Sequence, residues 1–142
     1  MEVSEVRRRL LDTIDRARRA AAARRTGVAD AEKAYERFLA QVAVPVFRQM
    51  ASALKAEGYA FTVSTPAGSV RLASDRAAQD FVELTLDTES DPPAVVGRAS
   101  RERGRRVLTQ ERPIRAGAAV DTLDEHDVLE FLLTSLVPFV ER

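Results

Sequence analysis

Cysteine, tryptophan and asparagine are absent from this chain of 142 residues, and histidine occurs once. Without thiols there is neither a disulfide nor a thiolate metal site nor a cysteine nucleophile. A lone imidazole, His126, is too little for the zinc sites built from several Cys and His ligands, so no metal or cofactor is expected. Phosphate cradles are missing too, because neither Gly68 nor Gly104 stands in a Walker or dinucleotide spacing. Ser64, Ser69, Ser74, Ser100 and Ser135 all lack the Gly-x-Ser-x-Gly elbow of a nucleophilic serine. Asp87, Glu89 and Asp91 alternate like calcium-loop ligands, but Pro92 takes the place of the required glycine and Arg98 that of the closing glutamate.

No apolar run approaches the roughly 20 residues needed to cross a bilayer. Residues Met1 to Ala23 alternate charges with aliphatics and hold no uncharged signal-like core. The expectation is a cytoplasmic protein with no membrane partner.

What is present is ordinary for a globular domain: 45% hydrophobic and 31% charged residues, enough for one core at this length. Basic and acidic residues balance at 22 each, so no long-range field draws a charged partner, and electrostatic function must be local. Only Lys33 and Lys55 are lysines, which leaves 20 arginines.

Val3, Val6, Leu10, Ile14, Ala17 and Ala21 recur at steps of three and four, a helical stripe only about 80° wide at 100° per residue. On the other faces Glu5 precedes Arg9, Asp12 precedes Arg16 and Asp15 precedes Arg19 at the spacing of helical ion pairs. Thr26-Gly27 reads as an end or bend, and Asp30 as the cap of a second helix to about Glu57. That second helix carries Leu39, Val42, Val46, Met50 and Ala53 on one face, with Pro45 expected to kink it and Gly58 to stop it.

Beyond Gly58 the period falls to two. Phe61 and Val63, then Val70 and Leu72, flank Pro66-Ala67-Gly68-Ser69 as a hairpin. Over residues 80–87 a third strand puts Val82, Leu84 and Leu86 towards the core, with Glu83, Thr85 and Asp87 towards water. Residues 94–101 and 105–114 read as a second hairpin turning at Glu102-Arg103-Gly104, ended by Pro113. Asp124 with Asp127 forms a capping box, and Leu123 with Val128 a staple, at the start of a final apolar helix that Pro138 would bend near its end. The fold class is therefore α+β: two N-terminal helices, as a hairpin or a long kinked arm, an antiparallel sheet of about five strands, and a C-terminal helix packed on it. Residues 1–57 make the helical part and 58–142 the sheet with its helix, together one compact unit.

Three functional readings arise. The preferred one is a non-catalytic interaction or oligomerisation module whose stripe Val3, Val6, Leu10, Ile14 and Ala17 pairs with a second copy or another protein, since so thin a stripe leaves a lone helix marginal in water. The alternative is a nucleic-acid binder using Arg98, Arg101, Arg103, Arg105 and Arg106 in the hairpin 98–115, although that segment has no aromatic residue for stacking bases. Opposing it is a structural use, in which the strand arginines face Glu83 and Asp87 or guard the sheet edge. A third reading is a metal-free enzyme with Glu83 and Asp87 as its carboxylates.

Overall fold

The structure is a computed structural model that describes residues 1–141. Its order is helix α1 (Val3–Phe38), a π-helical turn (Leu39–Ala43), helix α2 (Val44–Ala56), strands β1 (Phe61–Ser64), β2 (Val70–Ser74), β3 (Phe81–Asp87), β4 (Ala94–Arg103) and β5 (Arg106–Pro113), a 3-10 turn (Val120–Thr122), and helix α3 (Glu125–Val140). The five strands form an antiparallel meander in sequence order, the α+β layout expected from the periodicities.

The helix boundaries expected at Thr26-Gly27 and Asp30 do not exist, and the hairpin alternative falls with them. All three residues lie inside α1, which runs unbroken to Phe38. A glycine in a helix costs about 1 kcal/mol relative to alanine. The surrounding alanines and arginines, with ion pairs from Glu5 to Arg9 at 3.4 Å and Asp15 to Arg19 at 3.1 Å, support the helix through it. Arg16 departs from its expected pairing and donates to the backbone carbonyl of Asp12.

Pro45 does disturb the helix, locally. Lacking an N–H for the Gln41 carbonyl, it is accommodated by the π turn immediately before it and sits in the first turn of α2. The stop at Gly58 is a Schellman closure: Tyr59 N–H donates to the Leu54 carbonyl at 2.8 Å and Gly58 N–H to that of Lys55 at 3.0 Å. The φ of +89° at Gly58 is the left-handed conformation this closure requires.

Helix α2 lies against β1 and β2, and α3 against β3 and β4, side by side on one sheet face. Between the layers Phe47, Leu72, Leu84, Leu132, Val70, Val82 and Val128 are fully buried. At Gly97 the Phe131 ring of α3 rests directly on the strand backbone, occupying the space a Cβ would fill. Phe61 and Phe139 meet edge to face, centroids 6.0 Å apart.

Tyr35 fastens α1 to the sheet, its hydroxyl donating to the Gly68 carbonyl at 2.8 Å with the Leu84 carbonyl 3.4 Å away. Burial pushes its phenol well above the usual tyrosine range, and the Glu83 carboxylate pushes further in the same direction. The start of α3 is built as its sequence indicates. Asp127 N–H donates to Asp124 at 3.1 Å, the Asp124 N–H donates back to Asp127 at 3.0 Å, and Leu123 and Val128 are both buried. The Asp127 N–H in turn holds the Asp124 carboxyl below its ordinary value.

Candidate functional site

The first two-thirds of α1 form an arm. From Val3 to Gly27 it spans about 36 Å at 1.5 Å per residue. Val3, Val6, Leu10 and Leu11 each leave half or more of their surface in water, Ala17 is exposed, and Ile14 is only partly covered. This stripe is continuous with the face by which the same helix docks on the body. After a step of seven from Ala21, taken across Arg24 and Arg25, Val28, Ala31, Tyr35 and Phe38 resume the three- and four-residue steps in the same direction, and there Ala31 packs on the core while Tyr35 and Phe38 are buried. One apolar line along one helix is thus partnered at its C-terminal end and unpartnered at its N-terminal end. Between them, residues 20–37 and the loop 88–93 border an open groove of about 1260 Å³ whose charged residues are of both signs, Arg24, Lys33 and Arg37 with Glu32, Glu89 and Asp91 among them.

The arginine hairpin turns at Gly104-Arg105, not at the expected Glu102-Arg103-Gly104, and Arg103 faces Arg106 as the last pair. Gly104 has φ +65° and Arg105 does not share that sign, the pattern of a two-residue turn that takes glycine first. This register sorts the charges, because cross-strand partners share a face and neighbours along a strand alternate. Arg101, Arg103, Arg106 and Arg112 fall on the face that bears Gly97, whereas Glu102 and Glu111 fall on the opposite one with Arg98.

Arg98 therefore parts from the other candidate residues. It stands in a cross-strand row of alternating charge, Arg71, Glu83, Arg98 and Glu111. Arg115 is also occupied: it reaches Asp127 at 3.1 Å and the Thr122 hydroxyl at 2.6 Å. Arg101, Arg103, Arg105 and Arg106 make no ion pair with any carboxylate among the described residues. Beyond Ser100 the ribbon overruns β3 and extends past the sheet, steadied by the Glu102 N–H donating to Asp80 at 2.7 Å. Between it and α3 runs a groove of about 530 Å³, lined by Arg101, Leu108, Gln110, Arg112, Thr134 and Ser135 among others and by no carboxylate.

No family model, curated protein or solved structure matches this chain. Its site is therefore read from geometry.

The carboxylate pair of the enzyme reading is not brought together. Glu83 and Asp87 share a strand face but lie four residues apart, about 13 Å along the strand at 3.3 Å per residue, too far to act on one bond. The face is also not uniformly wet, as had been expected. Glu83, Phe81, Val96 and Ser100 are buried on it. Over Glu83 and Phe81 the cover is Arg71, which binds Glu83 at 2.7 Å through Nη2 and 2.8 Å through Nε while lying 4.0 Å above the Phe81 ring, with Arg98 at 5.7 Å from the same ring. His126 sits on exposed helix surface, 3.9 Å from Glu130.

One surface escaped the sequence reading. On α3, Leu129, Leu133, Val137 and Val140 remain 38–50% exposed, while Val128, Phe131, Leu132, Leu136 and Phe139 face the core. The spacing of these four residues is itself helical, but in a helix with so broad an apolar arc the period alone does not separate the buried side from the open one.

Proposed function

We propose that the protein is a non-catalytic interaction module that self-associates through the α1 arm, with Val3, Val6, Leu10, Ile14 and Ala17 as contact residues. The observation that carries this reading is the open apolar line of the arm, continuous with the line that the same helix buries against its own body. A helix of this length gains most of its stability from packing an amphipathic face, and the arm has no such packing within its own chain. Dimers are the commonest closed assemblies, and a second copy supplies the missing surface at no further demand on the cell.

The test is molar mass in solution by size-exclusion chromatography with light scattering. The expected value is a multiple of the chain mass of 15.7 kDa, falling to the chain mass on deletion of residues 1–25 or on Leu10→Glu. A monomer at all concentrations would overturn the reading.

The sorting of the hairpin arginines favours a second reading, contact with nucleic acid through Arg101, Arg103 and Arg106. Each neutralised phosphate releases counterions, so binding to a labelled duplex would weaken steeply with salt, and replacing these three arginines by alanine would reduce the logarithmic slope by up to about 3. An unchanged slope would remove the ribbon from consideration.

A further inference from the structure

We infer that the arm of one copy docks antiparallel on the exposed stripe of α3 of a second copy. The inference rests on the self-association proposed above and names the surface that receives the arm.

The two stripes match in spacing. Val3, Val6, Leu10 and Ile14 advance by three, four and four residues; Leu129, Leu133, Val137 and Val140 advance by four, four and three. Read in opposite directions the two series coincide, and each covers eleven residue steps, about 16 Å of helix. Antiparallel docking then brings Val3 to Val140, Val6 to Val137, Leu10 to Leu133 and Ile14 to Leu129. Valine meets valine and the larger aliphatics meet each other, so neither end of the seam gapes.

Their borders match in charge. At about 100° per residue, Arg7 and Arg18 flank the arm stripe on one side, Arg24 continues its other edge beyond Ile14 with Glu2 bordering that edge at the N-terminus, and Glu5, Asp12 and Asp15 lie on the reverse of the helix. On α3 the flanks are Glu130 and Glu141 on one side and Glu125 on the other, and the helix contains no lysine or arginine. In the antiparallel arrangement Arg7 and Arg18 fall on the side of Glu130 and Glu141, and Arg24 on that of Glu125. Two arms packed on each other would instead bring arginine borders together, a like-charge juxtaposition that opposes pairing.

The receiving helix belongs to another copy because α1 passes without a break into the body of its own chain and leaves both stripes open there. Reciprocal exchange, each arm on the other copy's α3, closes a two-fold dimer with two identical contacts.

The absence of native cysteine makes the test direct. Leu10→Cys and Leu133→Cys proteins, each first shown by circular dichroism to keep the native spectrum and melting temperature, are oxidised separately and as a mixture. The expected result is a disulfide-linked species of two chains in the mixture, at least tenfold more abundant than in either protein alone. Equal cross-linking of the Leu10→Cys protein by itself would overturn the docking while leaving self-association through the arm intact. The same holds if light scattering finds a dimer that loses mass on deletion of residues 1–25 yet neither the mixture nor the single proteins cross-link. A monomer would overturn both. As a second readout, Arg7→Glu with Arg18→Glu should raise the dimer dissociation constant at least tenfold, and Glu130→Arg with Glu141→Arg added in the same chain should recover most of that loss.

Discussion

Gly97→Ala tests the seating of α3 on the sheet, on which the position of the α3 surface depends. A Cβ at Gly97 would overlap Cε1 and Cζ of Phe131 and come within 2.8 Å of Cδ1. Relief requires Phe131 to move, but that ring is almost fully buried. Overpacking of this kind costs about 1–3 kcal/mol, and the depth of the overlap places the expected loss at about 2–3 kcal/mol. At about 2 cal/mol/K of unfolding entropy per residue, a chain of this length loses about 3 °C of melting temperature per kcal/mol, so a fall of roughly 6–10 °C is expected by calorimetry or circular dichroism. Phe131→Leu in the Gly97→Ala background should cost less than it does alone, with a coupling above about 0.5 kcal/mol in the double-mutant cycle. A fall below about 2 °C, or additivity in the cycle, would refute the direct contact between ring and strand.

Glu83→Ala should destabilise the fold by about 2 kcal/mol in urea unfolding, less than the ~3–5 kcal/mol of a fully buried broken pair because Arg71 keeps a third of its side chain in water. Tyr35 gives a pH signature: its native phenol holds its proton above the unfolded value, so its contribution to stability is complete below roughly pH 10 and is lost as pH rises beyond that. Stability measured from pH 9 upward should therefore decline, and Tyr35→Phe, less stable at neutral pH through loss of the bond to the Gly68 carbonyl, should decline less steeply over the same range.

Local chemistry was legible in the chain itself. The Asp124–Asp127 capping box, the stop at Gly58, the turn at Pro66–Ser69 and the strand end at Pro113 depend on the few residues around them, and each was placed from its own signature. The narrow stripe of the arm was equally plain, because the other faces of that helix are almost wholly charged or small. Where several weak local preferences competed with extended context, the sequence reading failed. Gly27 and Asp30 favour a break, but a long run of good helix formers on both sides outweighs the cost of one glycine.

Tertiary structure alone decided matters that depend on register and on who covers whom. Moving the hairpin turn to Gly104-Arg105 changed which residues face each other, and with them the sorting of Arg101, Arg103 and Arg106 from Glu102 and Glu111. Glu83 is buried because Arg71 and Phe81, brought beside it by strand pairing, close over it. The open stripe on α3 exists because a sheet layer covers only the side of a helix that rests on it, and this helix is apolar on both. Period and caps are properties of neighbours along the chain, and composition and periodicity sufficed for the elements. Burial is a property of neighbours in space, and it left the arm and α3 each with an apolar face that their own chain does not cover.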